Sequence, residues 1–289
     1  MLQMAEDDSK DDTKVRSNKE FFVDLARAFG GAILFSFPML MTMEMWWLGF
    51  YMDGLRLTLF TLLAIPLLMG LSYYDGFEDT SGLKDDTIDT FVAYAVGFTA
   101  SAAMLFLFGV IQPWMSADEI IGKISIQAVV AGIGAMLTQS LLVIDKQTED
   151  DAEKRKRSAS YAGQLFLIAV GAIFLSMSVA PTEEMVLISY QMTDWHTAAL
   201  AVATLVVMHA FVHAIEKGGQ EKEIPPDTDF FSLFLRFTVV GYAIVLLVSF
   251  CILWTFGSID EMLFAEKLKA TVVLGFPAAL GASASRLIL

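Results

Sequence analysis

Eight stretches of this 289-residue chain are apolar over lengths that match a membrane crossing. A helix rising about 1.5 Å per residue needs roughly 20 residues to cross about 30 Å of hydrocarbon. The stretches run from about Phe21 to Phe50, Leu55 to Tyr74, Thr87 to Ile111, Ile120 to Ile144, Tyr161 to Tyr190, Thr197 to Ile215, Phe230 to Phe256 and Leu268 to Leu289. In lipid every backbone N–H and C=O must be satisfied without water, and runs of this length do so as helices. The expected fold is therefore an all-α integral membrane protein of about eight transmembrane helices. Pro38, Pro66, Pro181 and Pro277 fall inside these runs, which a membrane helix tolerates where neighbours satisfy the freed carbonyls.

Other function classes are narrowed by composition. A net charge of -14 makes nucleic acid an unexpected partner. The single cysteine, Cys251, cannot form a disulfide or a cysteine-based metal cluster within one chain. Nucleophile-elbow, phosphate-loop and metalloprotease motifs are missing, so neither enzyme activity nor a cofactor is expected.

Internal similarity divides the chain. Gly31-Ala-Ile-Leu-Phe-Ser-Phe-Pro-Met-Leu-Met-Thr-Met-Glu-Met45 returns 140 residues later as Gly171-Ala-Ile-Phe-Leu-Ser-Met-Ser-Val-Ala-Pro-Thr-Glu-Glu-Met185, with seven of fifteen positions identical. The same offset pairs Met52 with Met192, Asp89 with Asp229, Phe91 with Phe231 and Trp114 with Trp254. Beyond Trp114 an offset of 143 sets Val129–Ala135 against Val272–Ala278, which predicts three extra residues in the preceding loop. The expected organisation is a disordered tail over 1–20, a four-helix repeat over 21–144, a linker over 145–160 and a second repeat over 161–289. Four spans per repeat is even, so the two tandem repeats should lie in parallel orientation. With eight spans, 15 of the 19 basic residues share the side of the termini, including Lys154-Arg-Lys-Arg157. The positive-inside rule then places both termini in the cytoplasm of a bacterial inner membrane.

The repeated segment carries the main functional candidates. Glu44 and Glu184 sit about six residues inside the outer ends of their runs, roughly 9 Å deep at the helical rise. A carboxylate at such depth is costly and marks a candidate cation or proton site. Glu183 lies beside the second copy, and Thr42 and Thr182 could add hydroxyl ligands if the helix breaks locally, for which Pro181 is a cause in the second copy. An interfacial reading, in which both glutamates reach water or accept hydrogen bonds from Trp46, Trp47 or backbone amides, stays open. Asp53 and Asp194 follow in the next turns as helix caps or as part of an acidic outer vestibule with Asp118, Glu119, Asp260, Glu261 and Glu266. His209 and His213, four apart on one helix face, have metal-ligand spacing, but their offset partners Met69 and Tyr73 do not repeat it. Small residues four apart, Ala278 with Ala282 and Gly281 with Ser285, predict close helix packing, between halves or between protomers of a homo-oligomer.

The duplicated four-span layout, with Phe-Pro-Met-Leu-Met-Thr-Met-Glu-Met early in the first span, resembles a family of bacterial integral membrane proteins of unknown function; the resemblance implies a fold and no activity. Separately, Ser176-Met-Ser-Val-Ala-Pro-Thr-Glu-Glu-Met185 is locally similar to the alpha-repeat of cation/calcium exchangers, whose Ser-x-Pro-Glu core supplies an ion-binding carboxylate. Here Thr182 separates proline from glutamate. The functional expectation is a cation channel or proton-coupled cation transporter whose partners are the bilayer and inorganic cations or protons. The alternative is a non-transporting scaffold or sensor that binds a partner through the Asp75 to Asp89 and Glu216 to Asp229 loops.

Overall fold

The computed structural model describes residues 18–75, 83–141, 160–217 and 234–288. The tail over 1–17, most of the linker with Lys154–Arg157, and the connections at 76–82 and 218–233 lie outside the described residues, so the tail and linker expectations are not met there by any observation. In chain order the helices are α1 (Asn18–Leu40), α2 (Met43–Tyr51), α3 (Gly54–Asp75), α4 (Leu83–Leu107), α5 (Ala117–Leu141), α6 (Tyr161–Val179), α7 (Glu183–Gln191) and α8 (Asp194–Lys217). A π-helical turn, Phe234–Val239, leads into α9 (Val240–Thr255), and α10 (Phe264–Ile288) follows. Among the described residues there is no strand.

Eight helical segments are long and apolar enough to cross a membrane. Two of the expected runs are each split: the first becomes α1 and α2, and the fifth becomes α6 and α7. The third begins earlier than expected, at Leu83, so Asp86 and Asp89 are buried helix residues beside Ser72 and not loop residues.

The other four helices of the N-terminal half are arranged around α5. Along its span 89% of the residues are buried, against 17% for α3 and 11% for α8, whose sides face outward where lipid would lie. Glycines let α5 be enclosed so tightly. A Cβ on Gly31 of α1 would lie 2.7 Å from the Gly134 carbonyl, and one on Gly97 of α4 would lie 2.6 Å from the Ala128 carbonyl. In a medium as apolar as the side chains themselves, such backbone approach is what holds helices together.

The C-terminal half uses the same device. A Cβ on Gly171 of α6 would lie 2.2 Å from the Gly281 carbonyl of α10, and Ser285 donates to the Leu167 carbonyl at 2.8 Å. The small residues of α10 therefore serve contact with α6 inside one half, which corrects the choice between halves and protomers. The two glycine contacts also fix the register of α5 against α10. Gly31 approaches Gly134 and Gly171 approaches Gly281, so the two contacts are spaced 140 residues apart on one side and 147 on the other, where the sequence match for the later segment had 143.

The turns after α4 and α9 extend the correction. Gly109 and Gly257 both adopt positive φ, at 70° and 75°, and each follows a phenylalanine that ends the helix. That is an offset of 148. Read at 148, Thr90, Val92, Tyr94, Ala95, Ser101, Leu105, Phe108, Gly109 and Ile111 face identical residues from Thr238 to Ile259. Trp114 and Trp254 do not correspond, since Trp114 follows α4 in a turn and Trp254 lies within α9.

Between the halves, Phe35 meets Phe174 and Phe60 meets Phe256 edge to face, at 5.6 and 6.0 Å. Met45, Met177, Met185 and Phe256 share one buried cluster with Leu68 and Ile133. The largest buried cluster therefore runs through both halves.

Candidate functional site

The interruption between α1 and α2 decides where the first glutamate goes. Thr42 has extended backbone, φ -97° and ψ 117°, and starts α2; Thr182, at φ -74° and ψ 138°, starts α7. Each break lies at the same place in the 140-residue offset. Only the second has a proline in it, Pro181, while Pro38 lies inside the last turn of α1.

A break inside apolar surroundings frees carbonyls that must find donors. In the first copy each is met. The Pro38 carbonyl accepts from Thr42 Oγ1 at 2.6 Å, the Met39 carbonyl from Thr42 N at 3.0 Å and from Gln127 Nε2 at 3.3 Å, and the Leu40 carbonyl from Trp46 Nε1 at 2.8 Å. In the second copy Thr182 donates to the Val179 carbonyl through both N and Oγ1, at 3.1 and 2.8 Å. Neither threonine hydroxyl caps the helix it precedes.

The contact with Gln127 also gives the depth. Gln127 is ten residues into α5, so the end of α1 lies about 15 Å along that axis from the α5 N-terminus. Glu44, the second residue of α2, therefore sits on the first turn after a break at membrane depth, half-buried. At that position it also lies beside the unpaired N–H groups of a helix start, which favour negative charge.

In the second copy both Glu183 and Glu184 are exposed on the first turn of α7. The 140-residue offset pairs Glu44 with Glu184, while Glu183 is the second-half carboxylate that acts, with Glu44, on Tyr51. Tyr51, at the end of α2 and outside the eight spans, has its phenol pKa raised above the ordinary value first by burial, then by the negative charges of Glu44 and Glu183. One hydroxyl thus lies within electrostatic reach of a carboxylate from each half.

The face with the short connections carries the other acidic candidates, and most are engaged. Asp53 caps α3, accepting from Leu55 N and Arg56 N at 3.0 and 3.1 Å. Asp194 is not a cap; it pairs with Lys269 at 2.8 Å, and Lys269 also donates to the Met192 carbonyl. Glu119 pairs with Lys123 at 2.7 Å, and Glu266 accepts from Leu263 N. Arg56 bridges the halves: it pairs with Asp260 at 2.7 Å, donates to the Trp254 carbonyl at 2.8 Å and lies 4.8 Å from the centre of that indole ring. This face is therefore laced by ion pairs, and is not a bare acidic funnel.

His209 lies 3.0 Å from Thr238 Oγ1 through Nδ1 and packs edge-on against Phe234. His213 follows in α8 with its side chain outside the described residues. Among the described residues no three His, Cys, Asp or Glu side chains come together as a metal site.

Gln127 escaped the sequence reading. Its signal was an amide inside the apolar run from Ile124 to Met136, where a polar side chain needs a reason to be.

Residues 24–289 match the family described as "Putative integral membrane protein (DUF2391)", and the chain belongs to that family. No curated protein and no solved structure matches it.

Proposed function

We propose that this integral membrane protein moves cations or protons across the bilayer, with Glu44 of one half and the Glu183–Glu184 pair of the other as its charged groups. The observation that carries the reading is a pair of broken helices, α1–α2 and α6–α7, each resuming on a turn that bears a carboxylate. Broken helices are a recurrent way to place polar groups at depth without exposing unsatisfied backbone to lipid. The shared reach of Glu44 and Glu183 to Tyr51 supports placing the two carboxylates in one region.

We read the chain as a tandem duplication of a four-span unit in parallel orientation, supported by the matched breaks and glycine contacts and by the identities at offsets of 140 and 148. The distribution of Lys and Arg supports an inner-membrane location with both termini cytoplasmic.

Flux of H⁺, Na⁺, K⁺ and Ca²⁺ into proteoliposomes tests the function. Wild type should carry at least one of these ions, and Glu44→Gln with Glu183→Gln and Glu184→Gln should lower that flux by about tenfold or more. No flux of any of the four, or a triple variant as active as wild type, overturns the reading.

A further inference from the structure

We propose that the break between α1 and α2 is a binding site for one alkali cation per chain, with Gln127 as a ligand and Glu44 as the compensating charge. This rests on the transport reading for its purpose, though not for its geometry.

Gln127 is wholly buried. Its amide can face the Met39 carbonyl only through nitrogen, since two oxygens cannot share a hydrogen bond without a donor. That fixes the other end: Oε1 turns away from Met39, is buried and has no hydrogen bond. Thr42 N, which starts α2, donates to the same Met39 carbonyl, so the amide and the first turn of α2 meet across one oxygen.

A second oxygen shares this state. Ser101 Oγ on α4 is also buried without a partner. Four residues to one side of it, Gly97 lies against Ala128 and Gly132; four to the other, Leu105 clusters with Ile124 and Leu40. Ser101 thus sits on α4 between a residue that meets α5 beyond Gln127 and one that clusters with the end of α1.

A buried amide oxygen without a donor calls for an electron-pair acceptor, and at Gln127, beside a break that carries a carboxylate, the acceptor proposed is a cation, which the Ser101 hydroxyl oxygen can also ligate. The chemistry of the set selects its charge. One carboxylate, Glu44, with neutral amide and hydroxyl oxygens balances a single positive charge, whereas Ca²⁺ takes six to eight oxygens, commonly from several carboxylates. The site belongs to the first half alone. At the 147 offset the counterpart of Gln127 is Leu274, fully buried, so the second break has no amide to offer.

The test is equilibrium binding of ²²Na⁺ to purified protein in detergent, with K⁺ and Li⁺ as competitors, alongside thermal unfolding as a function of each ion. Wild type should bind one alkali cation per chain saturably and unfold at higher temperature as that ion is raised. Gln127→Leu, which copies the second half, should weaken binding at least about tenfold and remove the ion-dependent shift, as expected for losing a buried ligand to a charged group. Leu274→Ala should keep both. Gln127→Leu gives up the amide's bond to the Met39 carbonyl, which still accepts from Thr42 N, so near-ultraviolet circular dichroism without the ion should match wild type and the lost shift is read against that ion-free baseline.

Wild type that binds none of the three cations overturns the site, as does Gln127→Leu that binds unchanged, or a stoichiometry of two. The two proposals separate cleanly. Proton flux dependent on Glu44 with no alkali binding would end this inference and keep the transport reading; saturable binding without flux would do the reverse.

Discussion

Gly30 and Gly31 are neighbours in α1, and alanine at the two positions should have opposite effects. A Cβ on Gly30 meets nothing within 4 Å, while one on Gly31 would lie 1.7 Å from Thr138 Oγ1, 2.3 Å from Thr138 Cβ and 2.7 Å from the Gly134 carbonyl. At Gly30, then, only the backbone term acts, and alanine in a helix interior should stabilise by roughly 0.5–1 kcal/mol. At Gly31 rotating Thr138 relieves only its hydroxyl. Its Cβ and the Gly134 carbonyl are fixed to α5, so the two helices must part by about an ångström to restore ordinary contact. Overpacking a tight core costs about 1–3 kcal/mol, and the upper end applies where backbone opposes backbone. The backbone term is common to both positions and cancels between them, so the adjacent pair should differ by the overpacking cost alone, about 1–3 kcal/mol and near the upper end. Reversible unfolding in mixed micelles, followed by near-ultraviolet circular dichroism, measures the difference. Two variants that shift in the same direction, or by less than about 1 kcal/mol relative to each other, would refute the account of α1 on α5 given above.

Trp46→Phe keeps most of the packing but removes the donor to the Leu40 carbonyl, so it should cost about 1–3 kcal/mol in the same assay, the range for leaving a buried acceptor unmet. Trp47→Phe, at an exposed ring, is the control and should be near neutral. Spectrophotometric titration of the tyrosines, with Tyr51→Phe to assign the signal, should show the Tyr51 midpoint falling in Glu44→Gln/Glu183→Gln, because nearby negative charge opposes phenolate formation. An unmoved midpoint would separate the two carboxylates from Tyr51 and from each other.

The spans were legible because hydrocarbon imposes one length on every crossing, and the apolar runs report it directly. What the runs could not report was the break in α1. No proline stands at Met41 or Thr42, and the interruption is held by groups distant in sequence or geometry, the Trp46 indole and the Gln127 amide. The repeat was legible where the offset stayed at 140 and misread where it changed. Single matches such as Trp114 with Trp254 suggested that the offset persisted, although the nine identities from Thr90 to Ile111 already argued for 148. Glu183 and Glu184 were both legible as candidates, but adjacent helix residues point about 100° apart, and sequence position alone does not say which of them acts on Tyr51. The acidic outer face was legible as a count of carboxylates and not as a set of pairs. Counting carboxylates ignores that Arg56, Lys123 and Lys269, sparse on that face, are each paired with one of them.

The enclosure of α5 has a bearing on how the molecule is made. Because synthesis runs from the N-terminus, α1 through α4 leave the ribosome before α5 does. Until then the glycines at 31 and 97, which later lie against α5 backbone, have no protein to touch. The first four helices must be held beside the insertion machinery, or close loosely on one another and then reopen, when the fifth arrives carrying Lys123 and Gln127. Assembly of the N-terminal half is thus a late-docking event, and the speed of translation through residues 108–141 sets how long that unfilled groove faces lipid.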